Sequence, residues 1–218
     1  MRIAVLGTGM VGRTLGSKLA ELGHEVRMGS RTAGNENAAA WAAETGAAAS
    51  AGDFADAAAF GELVLNCTSG TVSLEALEAA GAGNLAGKVL IDVSNPLDFA
   101  QGFPPSLSIC NTDSVGESIQ RAFPEARVVK ALNTVNCALM VDPGRVPGDH
   151  ALFMCGNDAG AKGETLSLLG ELGWPAERVV DLGDITGSRG MEMYLALWLR
   201  LMVTGGTADF NVVLVRSG

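Results

Sequence analysis

Cationic charge is scarce in this chain. Fifteen Lys and Arg stand against twenty-four Asp and Glu in 218 residues, a formal net charge of −9. Nucleic acid and anionic membrane surfaces both call for a cationic face, so neither is an expected partner. Cysteine is sparse as well: Cys67, Cys110, Cys137 and Cys155 are scattered, with no CxxC spacing and no histidine pattern beside them. That distribution points to free thiols in a reducing, cytoplasmic setting, and away from disulfides or a metal site. Only two histidines occur, His24 in a turn and His150 beside a proline–glycine loop, and neither is placed for proton relay. No apolar run approaches the roughly 20 residues that span a bilayer. The first strand begins at Arg2, so no signal peptide is expected.

Small and apolar residues are plentiful. Hydrophobic side chains make up 48% of the chain, and there are 29 glycines. Such a composition fills the core of a turn-rich α/β fold, either one large domain or one domain with a small appendage.

The stretch from Arg2 to Arg31 organises the rest. A short apolar run, Ile3-Ala4-Val5-Leu6, meets Gly7-Thr8-Gly9-Met10-Val11-Gly12, then a helical pattern from Val11 to Leu22 and a second strand over Glu25 to Met28. Strand, glycine turn, helix and strand within about thirty residues make a βαβ unit that binds dinucleotides. Gly7 permits the sharp turn, Gly9 lets a pyrophosphate approach the backbone, and Gly12 lets the helix pack on the strand. The free N–H groups at the helix start, with the positive end of its dipole, would face the phosphates.

An acid is missing where NAD-selective folds usually place one. Asp or Glu at the end of the second strand accepts hydrogen bonds from the ribose hydroxyls. Here the strand ends in Gly29-Ser30-Arg31, and no acid occurs from Val26 through Gly34. A carboxylate would repel a 2′-phosphate, whereas a hydroxyl and a guanidinium would bind it. NADP is therefore expected in preference to NAD.

Further strands are expected at Leu63–Cys67, Lys88–Val93, Arg127–Leu132, Ala151–Cys155, Arg178–Leu182 and Phe210–Val215. Helices are expected from an alanine-rich segment through Trp41 to about Thr45, over Ala55–Ala59 with Asp53 as cap, and over Val72–Ala80. Others are expected over Ser114–Ala122, Cys137–Val141, Ala159–Leu172 and Met191–Thr204. Trp41 reads as a packing residue, and Ser114 with Glu117 fits a capping box. This alternation gives a Rossmann-type, doubly wound, mostly parallel sheet over residues 1–182. Residues 183–218 form a short C-terminal appendage that caps the acceptor side or makes a dimer contact.

Ligands of such sheets lie outside the carboxyl ends of the strands. Cys67, Thr68, Ser69, Ser94, Asn95, Asn133, Thr134 and Asn136 are therefore candidates for the cofactor. Helix capping is an equally good reading of Thr68 and Ser69, and of the group from Asn133 to Asn136. Asp98 to Asp113 shows no clear period and reads as a lid or an oligomer contact. The helix Met191–Thr204 carries only Glu192 and Arg200 as charges, so burial on most of its sides is expected, and with it a homodimer. Lys130 reads as an ion-pairing residue. No catalytic acid or base and no metal ligand is assigned, because hydride transfer between two rings needs alignment more than proton transfer. Fewer than forty residues follow Leu182, with no lysine or histidine, which argues against a two-domain hydroxyacid or imine reductase.

With these pieces in place the chain resembles the coenzyme F-420-dependent NADP oxidoreductase family, and more distantly the cytosolic reductase domain of six-transmembrane ferric reductases. The matching residues are the Gly7–Gly12 turn, Gly23-His24-Glu25-Val26, Gly29-Ser30-Arg31, Lys130-Ala131-Leu132-Asn133-Thr134 and Cys155-Gly156-Asn157-Asp158. The resemblance implies NADP on Thr8, Met10, Val11, Ser30 and Arg31, with its nicotinamide against a deazaflavin, coenzyme F-420, or a flavin held toward the C-terminus. Archaeal-type members carry a further basic residue after the Ser-Arg pair. Thr32 to Asn37 offers none, which implies weaker phosphate affinity. Two alternatives stand beside this small-molecule redox acceptor: an NADPH-dependent reductase of ferric chelates or quinones, and a non-catalytic NADP-sensing module.

Overall fold

A computed structural model describes residues 1–217. Its first half runs β1 (Arg2–Leu6), α1 (Met10–Glu21), β2 (Glu25–Ser30), α2 (Glu36–Thr45), β3 (Ala49–Asp53), α3 (Phe54–Phe60), β4 (Leu63–Asn66), α4 (Ser73–Ala80), α5 (Ala82–Leu85) and β5 (Val89–Asp92). A small hairpin follows, β6 (Leu97–Asp98) and β7 (Ser106–Leu107), then α6 (Val115–Ala122), β8 (Arg127–Ala131) and α7 (Cys137–Val141). The remainder is β9 (Leu152–Gly156), α8 (Ala159–Glu171), β10 (Val179–Asp181) and α9 (Ser188–Gly205).

Eight strands form one sheet in the order β10-β9-β8-β5-β4-β1-β2-β3. All neighbours are parallel except β8 and β9, which run antiparallel. The central strands are apolar on both faces, as parallel strands covered by helices must be. In β1, Ile3 and Val5 point into the cluster with Leu15, Leu19 and Trp41, whereas Ala4 and Leu6 point into the one with Phe54 and Leu77. The chain moves outward from β1 to β3 and then crosses back to β4 on the other side of β1. That reversal opens the crevice in which doubly wound folds bind ligands.

Several elements differ from the expectation. β3 lies in a stretch without β-branched residues, and smallness there answers to packing: a Cβ on Gly52 would sit 2.9 Å from that of Asp56. Asp53 closes β3 and caps α3, accepting from the Asp56 amide at 2.8 Å. The Asp98–Asp113 loop carries the β6–β7 hairpin at its root. Phe210–Val215 is not a strand. Both sides of β9 are already taken by β8 and β10, so the tail makes one backbone bond there, Ala151 N–H to Val212 O at 2.9 Å. Phe210 instead stacks on Trp198, with ring centroids 5.4 Å apart.

α9 is longer than expected and is buried along one face only. Met191, Leu195 and Leu199 face the core, while Met193, Leu197, Leu201 and Val203 are exposed. Among the described residues no helix is long and apolar enough to cross a membrane. Two contacts fasten α9 to α6. Arg189 grips Glu117 through two bonds of 2.8 and 2.6 Å, and Glu192 accepts the Val115 and Gly116 amides at 2.9 and 3.1 Å. Arg189 first, then the Ser114 hydroxyl, hold the Glu117 carboxyl below the usual carboxylate range against the opposing effect of burial. A depressed folded-state pKa stabilises above the unfolded value of about 4.3 and stops doing so as pH falls through the lower folded value. Glu117→Gln should therefore lower the melting temperature at pH 7 and lower it progressively less as pH falls below about 4, read by thermal melts across that range.

Candidate dinucleotide-binding site

The three glycines of the turn meet three different neighbourhoods. Gly7 has φ +117° and donates its N–H to Gly29 O at 2.9 Å, and a Cβ on it would fall 2.7 Å from Cys67 O. Only glycine takes that backbone comfortably at such close approach. A Cβ on Gly12 would lie 2.1 Å from Gly7 O, so α1 is pressed directly against the turn. Gly9 is the opposite case: a Cβ there would meet nothing within 4 Å. The bare backbone at Gly9 therefore answers to no neighbour in the chain and leaves room for a ligand.

Gly9 is the N-cap of α1 and supplies no side-chain cap, and the first turn holds no acid. The leading amides of α1 thus keep the orphan donors of a helix start, together with the positive end of its dipole. Met10, in the first turn, is 74% exposed, and Val11 packs partly against the core.

A cleft of about 630 Å³ opens beside this turn. It brings together Gly7, Thr8, Gly9, Ser30, Arg31, Cys67, Thr68 and Ser69, all expected from the sequence. It also takes in Thr32, Asn35, Phe54, Val72, Glu75, Ala76 and Ala79. Val72, Ala76 and Ala79 share one face of α4 and the turn before it, a spacing of four and three that the sequence shows once the helix start is known. A groove of similar size, about 650 Å³, follows the β10 edge. There Arg178 is already tied to Asp149 at 2.6 Å, and no glycine turn offers a phosphate cradle.

Hydroxyl protons decide what the cleft offers. Ser30 is 4% exposed and donates to Thr32 O at 2.6 Å. Thr68 donates to Asn66 Oδ1 at 2.7 Å. With those protons committed, both oxygens face a ligand as acceptors, suited to ribose hydroxyls and unsuited to a phosphate. Arg31 is exposed and makes no ion pair or hydrogen bond among the described residues. Asn35 caps α2 with its carbonyl oxygen, which accepts from the Ala38 amide at 3.0 Å, and so keeps its NH₂ group for the cleft. Ser30→Ala should consequently weaken NADPH by no more than about tenfold, since one neutral hydrogen bond contributes roughly 0.5–1.5 kcal/mol. A fluorescence titration would check this. The Cys67 thiol is pushed well up by burial and by the Asp92 charge, so it stays protonated and inert.

The remaining expected residues lie at the ends of β5 and β8. Asn95 and Asn133 bond reciprocally: Asn95 Nδ2 donates to Asn133 O and Asn133 Nδ2 to Asn95 Oδ1, both at 2.9 Å. Asn133 Nδ2 also reaches Met191 O on α9 at 3.2 Å. Leu132, just before, holds φ +66°, a conformation that costs a bulky side chain on the order of 1–3 kcal/mol and recurs at functional turns. Ser94 Oγ, Asn133 Oδ1 and Thr134 Oγ1 are buried with no hydrogen-bond partner among the described residues. Orphaned polar atoms of this kind are rare, and none of these three residues lines the cleft beside the glycine turn. Asn136 sits apart. Its carbonyl oxygen caps α7 at the Ala138 and Leu139 amides (2.8 and 3.1 Å), and its NH₂ bonds Ala208 O and Asp209. Of the two roles open to it in the sequence, the cap is the one seen.

Beneath this floor Lys130 is fully buried, and its ammonium meets three acceptors: Asp92 Oδ2 at 2.7 Å, Ser94 O at 2.6 Å and Glu192 Oε1 at 2.8 Å. Burial pulls its pKa down, but the two carboxylates outweigh burial and hold it protonated above the ordinary lysine value. Lys130 is an ion-pairing residue, as expected. His24 and His150 are likewise structural: His24 Nε2 lies 2.9 Å from Glu171, and His150 Nε2 lies near Pro143 O and Val146 O at 3.1 and 3.0 Å. All four cysteines are free, and no metal-ligating cluster occurs among the described residues.

Comparison with known proteins bears on the same elements. A family model described as NADP oxidoreductase, coenzyme F-420-dependent, matches residues 2–96, from β1 to the loop after β5. A solved structure from Arthrobacter sp. FB24, provisionally described as an F-420-dependent NADP-reductase, is 54% identical, covers 98% of this chain and 99% of its own, and has a TM-score of 0.92. The metalloreductase STEAP3 of Rattus norvegicus is 29% identical over 205 residues, 92% of this chain. The chain spans only 37% of that relative's length. A reductive aminase from Aspergillus terreus, solved with NADPH and ethyl-5-oxohexanoate, shares the fold at 18% identity and a TM-score of 0.67, covering 94% of this chain and 63% of that one.

Proposed function

The chain belongs to the coenzyme F-420-dependent NADP oxidoreductase family, and on that basis we propose that it passes hydride between NADP(H) on the α1 glycine turn and a deazaflavin or flavin-like ring on the α9 side. The observation that carries this reading is the open face of Gly9 at an uncapped helix start, beside a strand end with an arginine in place of an acid. The leading amides of α1 would take the pyrophosphate, and Arg31 with the Asn35 amide the 2′-phosphate. Thr68 and Ser69 would face the ribose.

The nicotinamide supplies the hydride when bound. The chain's own residues orient that ring and keep water out, bringing donor and acceptor carbons to roughly 3–3.5 Å. No side chain near this floor is free to act as an acid or base, because Lys130 and Glu192 are spent on each other. The exposed row Met193, Leu197 and Leu201 on α9 suits a second copy of the chain, and sedimentation should give a dimer.

Purified protein mixed with NADPH and oxidised coenzyme F-420 should bleach the deazaflavin absorbance. Turnover of a ferric chelate without bleaching of F-420 or flavins would favour the second reading, which the likeness to a metalloreductase supports. Tight NADPH binding with no acceptor turned over would leave a sensing module.

A further inference from the structure

An unbroken chain of buried hydrogen bonds leads from the cleft to α9. Thr68 Oγ1, on the cleft wall, donates to Asn66 Oδ1 at 2.7 Å, and Asn66 Nδ2 donates to Asp92 Oδ1 at 2.9 Å. Lys130 joins Asp92 Oδ2 to Glu192 Oε1 at 2.7 and 2.8 Å, and Glu192 takes the Val115 and Gly116 amides of α6. Asn66, Asp92, Lys130 and Glu192 are all at most 1% exposed. A core of this kind is costly, since desolvating three charges can outweigh their mutual attraction, and an apolar core would hold the fold as well. Both carboxylates and all three ammonium donors are aimed, so each member fixes the next.

We propose that Lys130 is a positioning residue that couples occupancy of the dinucleotide cleft to the placement of α9, through Thr68, Asn66 and Asp92 on one side and Glu192 on the other. The inference rests on NADPH occupying that cleft. A ligand that draws on the Thr68 hydroxyl tightens Asn66 on Asp92, which sets the ammonium against Glu192 and steadies the junction of α9 with α6. The acceptor-side helix is then ordered before hydride transfer.

A double-mutant cycle on NADPH affinity tests it, using Thr68→Val at the near end and Glu192→Gln at the far end. Independent sites combine to within roughly twofold. Here cutting the chain at one end should remove what the other end contributes, so the double variant should bind at least threefold more tightly than the product of the single losses implies. A structural Glu192 would lower the melting temperature and leave the two losses multiplicative. Should Glu192→Gln fold poorly, hydrogen exchange on the wild type reads the same coupling: NADPH should slow the Val115 and Gly116 amides at least threefold. Multiplicative losses, or unchanged exchange at those amides, would overturn the coupling. A flat wild-type titration would overturn the cofactor reading instead.

Discussion

Gly9→Val should abolish dinucleotide binding and leave the fold standing, whereas Gly12→Ala should damage the fold itself. At Gly9 the backbone is extended, with φ −76° and ψ −177°, which valine adopts readily, and the added Cβ meets nothing within 4 Å. The cost to the chain is that of a poorer helix cap, about 1 kcal/mol. The space those methyl groups fill is the space a pyrophosphate needs against the α1 amides. At Gly12 a single methyl would stand 2.1 Å from Gly7 O, so α1 must move off the turn, at a cost of about 1–3 kcal/mol or more. Circular dichroism melts with calorimetric titrations separate the two outcomes. Retained NADPH affinity in Gly9→Val would make the turn purely structural.

Arg31→Ala should weaken NADPH by about 1.5–3 kcal/mol, roughly 10- to 150-fold, and change NADH by less than about twofold. The guanidinium has no partner among the described residues, so its loss removes no intramolecular contact and the melting temperature should hold. An exposed charge is screened, so the discrimination should shrink as salt rises from about 0.1 M toward 1 M. Equal weakening of both nucleotides would mean that Arg31 does not read the phosphate. The contrast with Ser30→Ala matters, because both side chains look like phosphate ligands in the sequence. Only the structure reveals that the serine proton is already given to Thr32 O.

That contrast marks where the sequence is legible. A βαβ unit with three spaced glycines follows from local rules, since each glycine answers to a backbone need within about thirty residues. The parallel strands stand out as apolar runs, and Ser114, Asp53 and Asn136 as caps, because capping is a contact within three residues. What stayed hidden depends on distant parts of the chain. β3 is held by its pairing with β2 and by Asp56 beneath Gly52, not by strand-forming residues. The Phe210–Val215 segment has a strand's composition but pairs with no strand of the sheet. Glu192 sits 62 positions from Lys130, and nothing near either residue announces the bond between them. Phe54, Asn35 and the small face of α4 reach the cleft only through sheet order.

The most direct measurement is a crystal of the protein soaked with NADP. Density for the pyrophosphate should lie against the first amides of α1 beside Gly9, with the 2′-phosphate at Arg31. A cleft left empty at saturating nucleotide, or a nucleotide bound elsewhere, would contradict the proposed site.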